Sequence, residues 1–347
     1  MGGDTVGGFK VARVNADEDV PSWVSQQLGN EGIELTVANC ETRDELIKAA
    51  ADADVVWIAS GSRILTPEIM SDLPRCGAII RSGSGVDNIP VEAATRLGIV
   101  VANTPQAIAD PVADHTVALL LAAERRIPFH DRSMRKGQWH QFSYWPAAPV
   151  RGRTLGLVGF GHTARLVARK VSGFDLRILA SDPAVPEDEM IEYGVRKVGL
   201  DELLRSSDFV SLHCPLTDST RNLISEAELQ SMKKTAVLVN TSRGAVVDEA
   251  ALVRALREGW IEAAALDVYD VEPIPPDSPL LELENAVLTP HTAAHTKQIL
   301  ENVCRLGVET VIDLSKGRWP RSCVNRDQVS PKWNLYAKGG KNSGAKP

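Results

Sequence analysis

The apolar run Ala236 to Asn240 ends in Thr241-Ser242-Arg243-Gly244. The run Ala263 to Asp267 continues to Val271-Glu272-Pro273, and the run Ala286 to Leu288 ends in Thr289-Pro290-His291. Each run reads as a parallel strand, and ligands meet an open parallel sheet just past its carboxyl ends. Arg243 offers a planar, permanently charged guanidinium that grips a carboxylate through two parallel bonds. His291 offers an imidazole, the side chain most suited to passing a proton in the neutral range, and Glu272 can orient its ring. Reduction of a 2-oxo acid asks for these three groups: a cation to hold the carboxylate and polarise the C2 carbonyl, an acid to protonate the oxygen, and a carboxylate to aim that acid. Singly, each has a plainer reading. Arg243 serves as a cap or surface ion pair, Glu272 as a solvated loop residue, His291 as a structural histidine. Together, three separate strand ends offer one coherent set of roles. His291 and His295 also stand four apart, but with no further Cys or His nearby no metal is expected.

Such chemistry needs a hydride carrier, and an earlier turn offers a seat for one. Thr154 to Val158 runs into Gly159-Phe160-Gly161-His162-Thr163-Ala164, a G-x-G-x-x-A turn opening a helix. Gly159 permits the tight turn, Gly161 lets backbone approach a pyrophosphate, and Ala164 allows close helix-on-strand packing. The phosphates then face free N–H groups at the positive end of the helix. Asp182 ends the next strand, 23 positions after Gly159, near the spacing of roughly 20 for a ribose-binding acid. A carboxylate there accepts from a 2′-hydroxyl and repels a 2′-phosphate, and no Arg follows before Arg196. NAD is therefore expected over NADP. The plainer alternative is that Asp182 starts a turn before Pro183.

The elements that must hold these groups alternate along the chain. Strands are expected at Val11–Asn15, Glu34–Ala38, Val55–Ala59, Ala78–Arg81 and Val100–Ala102, with helices at Ser22–Asn30, Asp44–Ala51 and Val91–Leu97. A second series is expected from Thr154: strands at Thr154–Val158, Leu176–Ala180 and Phe209–Leu212, then the three runs named first, with helices at Ala164–Val171 and His295–Lys316. This pattern implies two parallel sheets covered on both faces, an α/β architecture. The stretch Pro111–Arg126 reads as a helix apolar on more than one face, buried against a neighbouring domain or subunit. Pro128–Pro149, with Trp139, Tyr144 and Trp145, reads as irregular, either an arm on a partner chain or a loop on its own domain. The tail 331–347 reads as disordered.

Composition narrows the function. The 347 residues are 44% hydrophobic and 24% charged, enough for about two domains with their own cores. A net charge of −7 argues against nucleic-acid binding, which needs a concentrated excess of Lys and Arg. No stretch approaches the roughly 18 apolar residues of a spanning helix, and Met1–Gly8 does not read as a signal peptide. The five cysteines are scattered without a C-x-x-C pair, which fits reduced thiols in the cytoplasm.

At these residues the chain resembles the D-isomer-specific 2-hydroxyacid dehydrogenase family, over roughly Val55 to Asn325. The likeness is carried by Arg81-Ser82-Gly83-Ser84-Gly85-Val86-Asp87-Asn88, Val112-Ala113-Asp114-His115-Thr116, the turn at Gly159 and Leu212-His213-Cys214-Pro215-Leu216-Thr217. It continues through Val239-Asn240-Thr241-Ser242-Arg243-Gly244, Ala265-Leu266-Asp267-Val268, Glu272-Pro273 and Thr289-Pro290-His291. The resemblance implies two Rossmann-like domains, a cofactor domain over 104–294 inserted into a flavodoxin-like substrate domain built from 1–103 and 295–330. It implies Arg243, Glu272 and His291 as the catalytic trio. The NAD(H) site would be lined by Thr104, Gly159, Phe160, Gly161, His162, Thr163, Asp182, His213, Cys214, Pro215, Thr241, Ser242, Arg243, Asp267, His291 and Ala293. The backbone at Ser84 and Gly85 would grip the substrate carboxylate together with Arg243 and His291. A homodimer through the cofactor domain is also implied, which suits the apolar helix. His162-Thr163 departs from the family's Arg-Ile type of pair, and Ser60 or Gly61 stands where phosphoglycerate dehydrogenases often carry arginine. The alternative in a different class is an NAD(H)-sensing corepressor or scaffold similar to the C-terminal-binding proteins. The chain lacks that branch's tryptophan after His291, although Arg81–Asn88 and His213-Cys214 resemble it.

Overall fold

The computed structural model describes residues 8–15, 20–59, 61–139 and 148–332. The chain divides into two compact units, Met1–Ile108 with Thr296–Pro347, and Ala109–His295.

In the first unit the strands β1 (Phe9–Val14), β2 (Ile33–Ala38), β3 (Val55–Ile58), β4 (Ala78–Arg81) and β5 (Val100–Asn103) form one parallel sheet in the order β2-β1-β3-β4-β5, the flavodoxin-like winding. Alternation of side chains makes the two faces separate cores. Val11, Val55 and Trp57 face one core; Ala12, Val14, Val56 and Ile58 face the other. The helix Ile299–Ser315 covers the first of these faces through Cys304, Val308 and Val311. Its Gly307 lies so close to the Trp57 indole that a Cβ would come within 1.9 Å. Residues near the carboxyl end thus complete the sheet begun by β1. Asn325, almost fully buried, fastens the returning segment by accepting from the Val101 amide at 2.9 Å and donating to Thr95 and the Ile99 carbonyl.

The second unit holds β6 (Thr154–Val158), β7 (Arg177–Ser181), β8 (Val195–Lys197), β9 (Phe209–Leu212), β10 (Val237–Asn240), β11 (Ala263–Leu266) and β12 (Ala286–Leu288) in the order β12-β11-β10-β9-β6-β7-β8, all parallel. This is the dinucleotide-fold winding, with the strand order reversing between β6 and β9. Leu155, Leu157, Val237 and Val239 enter one core; Leu238, Ala264 and Leu266 enter the other.

Several boundaries differ from the sequence expectation. The long helix runs Pro105–Glu124 rather than Pro111–Arg126. Pro105 takes the opening position, where a missing N–H costs nothing, and Pro111 sits inside, in the second turn, where it removes one i→i−4 bond. Within the stretch expected to be irregular, Ile127–Arg135 is helical, separated from the preceding helix by Arg126 at φ 48°. That left-handed residue starts a new helix axis, which no periodicity count shows. The strand β8 and the short helices Glu187–Ile191, Leu200–Ser206 and Glu226–Ser231 were beneath the reach of pattern reading at three to seven residues each. The C-terminal helix begins at Ile299, not His295. Tyr144 and Trp145 lie outside the described residues, as does the tail beyond Lys332, whose amide bonds the Gly98 carbonyl at 2.7 Å.

Candidate active site

The glycine turn follows β6 at the strand-order reversal. Gly159 has φ 88°, and a Cβ there would lie 2.7 Å from the Cys214 amide nitrogen and 2.8 Å from the His213 carbonyl carbon. Glycine is needed for both its conformation and this approach to the end of β9. Gly161 is the opposite case: a Cβ would meet nothing within 4 Å, so the chain's own packing does not demand glycine there. The helix it opens, His162–Lys170, has no side-chain cap, and its first N–H groups stay available for an anion. A glycine that leaves open space at an uncapped helix start fits a pyrophosphate drawn close to backbone. Phe160 keeps its side chain in the core, edge-on to Tyr193, while its amide donates to Asp182 at 2.8 Å.

Asp182 accepts three backbone N–H bonds, from Phe160 to Oδ2 and from Ala184 and Val185 to Oδ1 at 2.8 and 3.2 Å. It does start a turn before Pro183, and it also braces the glycine turn. A carboxylate has about four acceptor directions, so Oδ2 retains room for a ribose hydroxyl. On the other side, Cys214 is buried, and burial first, then the Asp182 charge, pushes its thiol up to about 11. This thiol is no nucleophile at neutral pH. His213 bonds Ser211 through Nε2 at 2.9 Å, and desolvation pushes its ring down to about 4, leaving it neutral in the physiological range. Pro215 is exposed, its carbonyl accepting from Thr220.

The turn after β10 is knotted by Asn240, which is almost wholly buried. Its Oδ1 accepts from the Ser242 amide and hydroxyl at 3.0 and 2.9 Å, and its amide donates to the Arg243 carbonyl at 2.9 Å. Arg243 is half-buried, one guanidinium nitrogen donating to the Ser242 carbonyl. The next residue, Gly244, abuts the loop after β11: a Cβ would sit 1.9 Å from the Tyr269 carbonyl carbon. The Arg243 turn and the loop leading to Glu272 are therefore in main-chain contact.

Glu272 and His291 meet. Glu272 Oε2 lies 2.6 Å from His291 Nδ1, while its Oε1 accepts from the Tyr269 amide at 3.0 Å. A carboxylate accepts, so Nδ1 carries the hydrogen and Nε2 points its lone pair or second proton elsewhere. Both side chains are partly open to solvent, at 48% for His291 and 35% for Glu272. His291 itself has φ 52°, an uncommon conformation for a non-glycine residue that its surroundings must enforce. Asp267 does much of that. Its carboxylate is fully buried and accepts from the Thr289 hydroxyl at 2.6 Å and the Thr292 and Ala293 amides at 2.9 Å each. Tyr269 adds a bond from its hydroxyl to the Thr289 carbonyl at 2.9 Å; burial pushes this phenol up to about 12.

In the first unit, Thr104 is buried and clamps Gly83 from both sides, its Oγ1 accepting from the Gly83 amide at 2.7 Å and its amide donating to the Gly83 carbonyl. Gly83 has φ 100°. Ser84 is exposed with its carbonyl taken by Asn103, and Gly85 follows half-buried. Sequence reasoning assigned no role to Asn240, Tyr269, His115 or Thr116. A polar residue closing the apolar strand Val237-Leu238-Val239 was the available signal for Asn240. All five cysteines are free, and no group of three metal-binding side chains occurs among the described residues.

Comparison with known proteins bears on this geometry. Residues 117–293 match the family described as D-isomer specific 2-hydroxyacid dehydrogenase, NAD binding domain. A glyoxylate reductase of Korarchaeum cryptofilum is 46% identical over 266 residues, 76% of this chain and 80% of that one. A D-3-phosphoglycerate dehydrogenase of Archaeoglobus fulgidus is 37% identical over 92% of this chain, which spans only 60% of that relative's length. Among solved structures, a glyoxylate reductase from Paecilomyes thermophila aligns with a TM-score of 0.83 at 30% identity, covering 92% of this chain and 99% of that one. The D-lactate dehydrogenase of Aquifex aeolicus, complexed with NAD and lactic acid, aligns at 0.77 and 29% identity over 88% and 96%.

Proposed function

The chain belongs to the D-isomer-specific 2-hydroxyacid dehydrogenase family, and from that premise we propose that this NAD(H)-dependent oxidoreductase reduces a small 2-oxo acid of the glyoxylate class. The observation that carries the reading is the Glu272–His291 pair at 2.6 Å, held on a strand end next but one to that bearing Arg243. NADH, when bound at the Gly159 turn with Asp182 at its ribose, supplies the hydride that reaches C2. Arg243 holds the carboxylate and draws electron density from the C2 carbonyl. His291 gives the proton on Nε2 to the carbonyl oxygen, and Glu272 keeps the ring aimed by its grip on Nδ1–H. Thr241, Ser242 and the amides anchored by Asp267 shape the rest of the cofactor's surroundings. Relatives named glyoxylate reductase at 41–46% identity favour the small substrate. The relatives and structures named above are all enzymes, and none supports the corepressor alternative.

The test is NADH oxidation over glyoxylate, hydroxypyruvate, pyruvate, phenylpyruvate and 3-phosphohydroxypyruvate. The expected result is the highest kcat/KM with glyoxylate or hydroxypyruvate. NADH binding without turnover of any of the five would overturn the reading, and a preference for the phosphorylated acid would overturn the substrate class.

Asp182 gives a second expected result. Replacing it by Ala weakens NADH binding by about ten-fold, as expected when a charge-assisted hydrogen bond to a hydroxyl is lost. It also narrows the preference over NADPH. Titration of both cofactors checks this, and an unchanged ratio removes Asp182 from the ribose.

A homodimer through the second unit completes the proposal. Ile127 and Met134, on the helix that follows the long one, and Trp139 just beyond it are 55%, 53% and 71% exposed, apolar side chains that a second copy could cover. Sedimentation at micromolar concentration should give twice the chain mass; a monomer would refute it. No helix among the described residues is long and apolar enough to cross a membrane.

A further inference from the structure

One turn of the helix Pro105–Glu124 touches two of the loops that carry the proposed chemistry. His115 Nε2 lies 3.0 Å from Thr289 Oγ1 and 3.5 Å from Asp267 Oδ1. Thr116, fully buried, places its Oγ1 2.8 Å from Thr241 Oγ1. Thr289 stands two residues before His291, and Thr241 two residues before Arg243. Consecutive helical residues point about 100° apart. That divergence suits two loops leaving β10 and β12, which flank β11 and so lie about 10 Å apart.

Counting hydrogens gives each contact a direction. A hydroxyl has one hydrogen to donate. Thr116 spends its own on the Val112 carbonyl at 2.8 Å, so Thr241 must donate to Thr116. Thr289 spends its own on the Asp267 carboxylate at 2.6 Å, so His115 must donate from Nε2. Asp267 also accepts from the amides of Thr292 and Ala293, so one carboxylate, reached from His115 through Thr289, fastens the chain both before and after His291, which sits between in its left-handed conformation.

We propose that His115 and Thr116 are positioning residues that separately register the two catalytic groups from a single helix, His115 setting the proton donor His291 and Thr116 setting the carboxylate-binding Arg243. The proposal rests on the functional reading above for its kinetic consequences, but not for its structural ones. If each residue serves its own loop, the two substitutions separate in kinetics. His115→Ala lowers kcat for glyoxylate with little change in KM, and Thr116→Val, which removes the hydroxyl and keeps the shape, raises KM more than it lowers kcat. Each effect should be about five-fold, the worth of one hydrogen bond. His115→Gln, which keeps an N–H donor, and Thr116→Ser, which keeps the hydroxyl, should restore most of the loss.

The experiment is steady-state kinetics on the full chain with glyoxylate, joined to amide hydrogen exchange without substrate. Exchange should quicken at Thr292 and Ala293 in His115→Ala and around Ser242 in Thr116→Val, each without the other. Equal changes in both kinetic parameters with exchange quickened throughout the unit would mean general destabilisation and overturn the proposal. So would unchanged exchange in both loops. If the wild-type chain turns over no 2-oxo acid, the functional reading falls while the exchange pattern still decides the positioning claim.

Discussion

His291→Ala lowers kcat by about 10²-fold or more while leaving NADH affinity within about two-fold, the pattern of a lost proton donor rather than a lost binding contact. The prediction follows from the ring's place at the end of a relay that starts with Tyr269. The Tyr269 amide fixes Glu272 Oε1 and Glu272 Oε2 fixes Nδ1, which in the proposed reaction turns Nε2 toward the carbonyl oxygen. The backbone at φ 52° complicates an alanine variant, because alanine adopts that region less readily than asparagine. His291→Asn therefore accompanies it: asparagine tolerates the conformation and still cannot act as the acid, so both variants should lose turnover alike. Glu272→Gln should show a smaller fall, since the amide oxygen can still accept from Nδ1 and aim the ring but without a charge-assisted bond. Single-turnover kinetics with NADH titration by fluorescence separates the effects. Equal loss of cofactor affinity in His291→Asn would show that the ring serves binding and not proton transfer.

Arg243→Ala is expected to cost about 10³-fold in kcat/KM, with KM for glyoxylate rising strongly, because in the proposed reaction the guanidinium both binds the carboxylate and polarises the carbonyl. Arg243→Lys should recover only a small part of this. An ammonium is a point charge without the planar fork, and it also lacks the second nitrogen that bonds back to the Ser242 carbonyl. The knot around Asn240 is untouched by either change, so fold and NADH binding should persist. A lysine variant with wild-type kcat/KM would remove bidentate recognition from the mechanism.

Much of this molecule is written in near neighbours. The strand runs Thr154–Val158, Phe209–Leu212 and Ala286–Leu288 match the structure residue for residue, because a doubly covered parallel strand is a short unbroken apolar run. Gly159 and Asp182 were legible for the same kind of reason, since a turn after a strand and an acid after the next one are local patterns. Most of the short helices escaped, and so did the ten-residue helix Glu249–Glu258 and the restart of the helix at Ile127, where the deciding event is one residue's φ.

The sequence by itself determined every strand but β8, the place after β6 where a glycine turn opens a helix, and which residue types stand at the strand ends. Only the tertiary structure decided how those ends are joined. The need for glycine at 244 comes from the Tyr269 main chain, the Asp267 carboxylate turns out to hold the His291 loop, and His115 and Thr116 reach loops more than a hundred residues away. Sheet order and register place these groups together, and both are set by the whole core's packing, which no local period encodes.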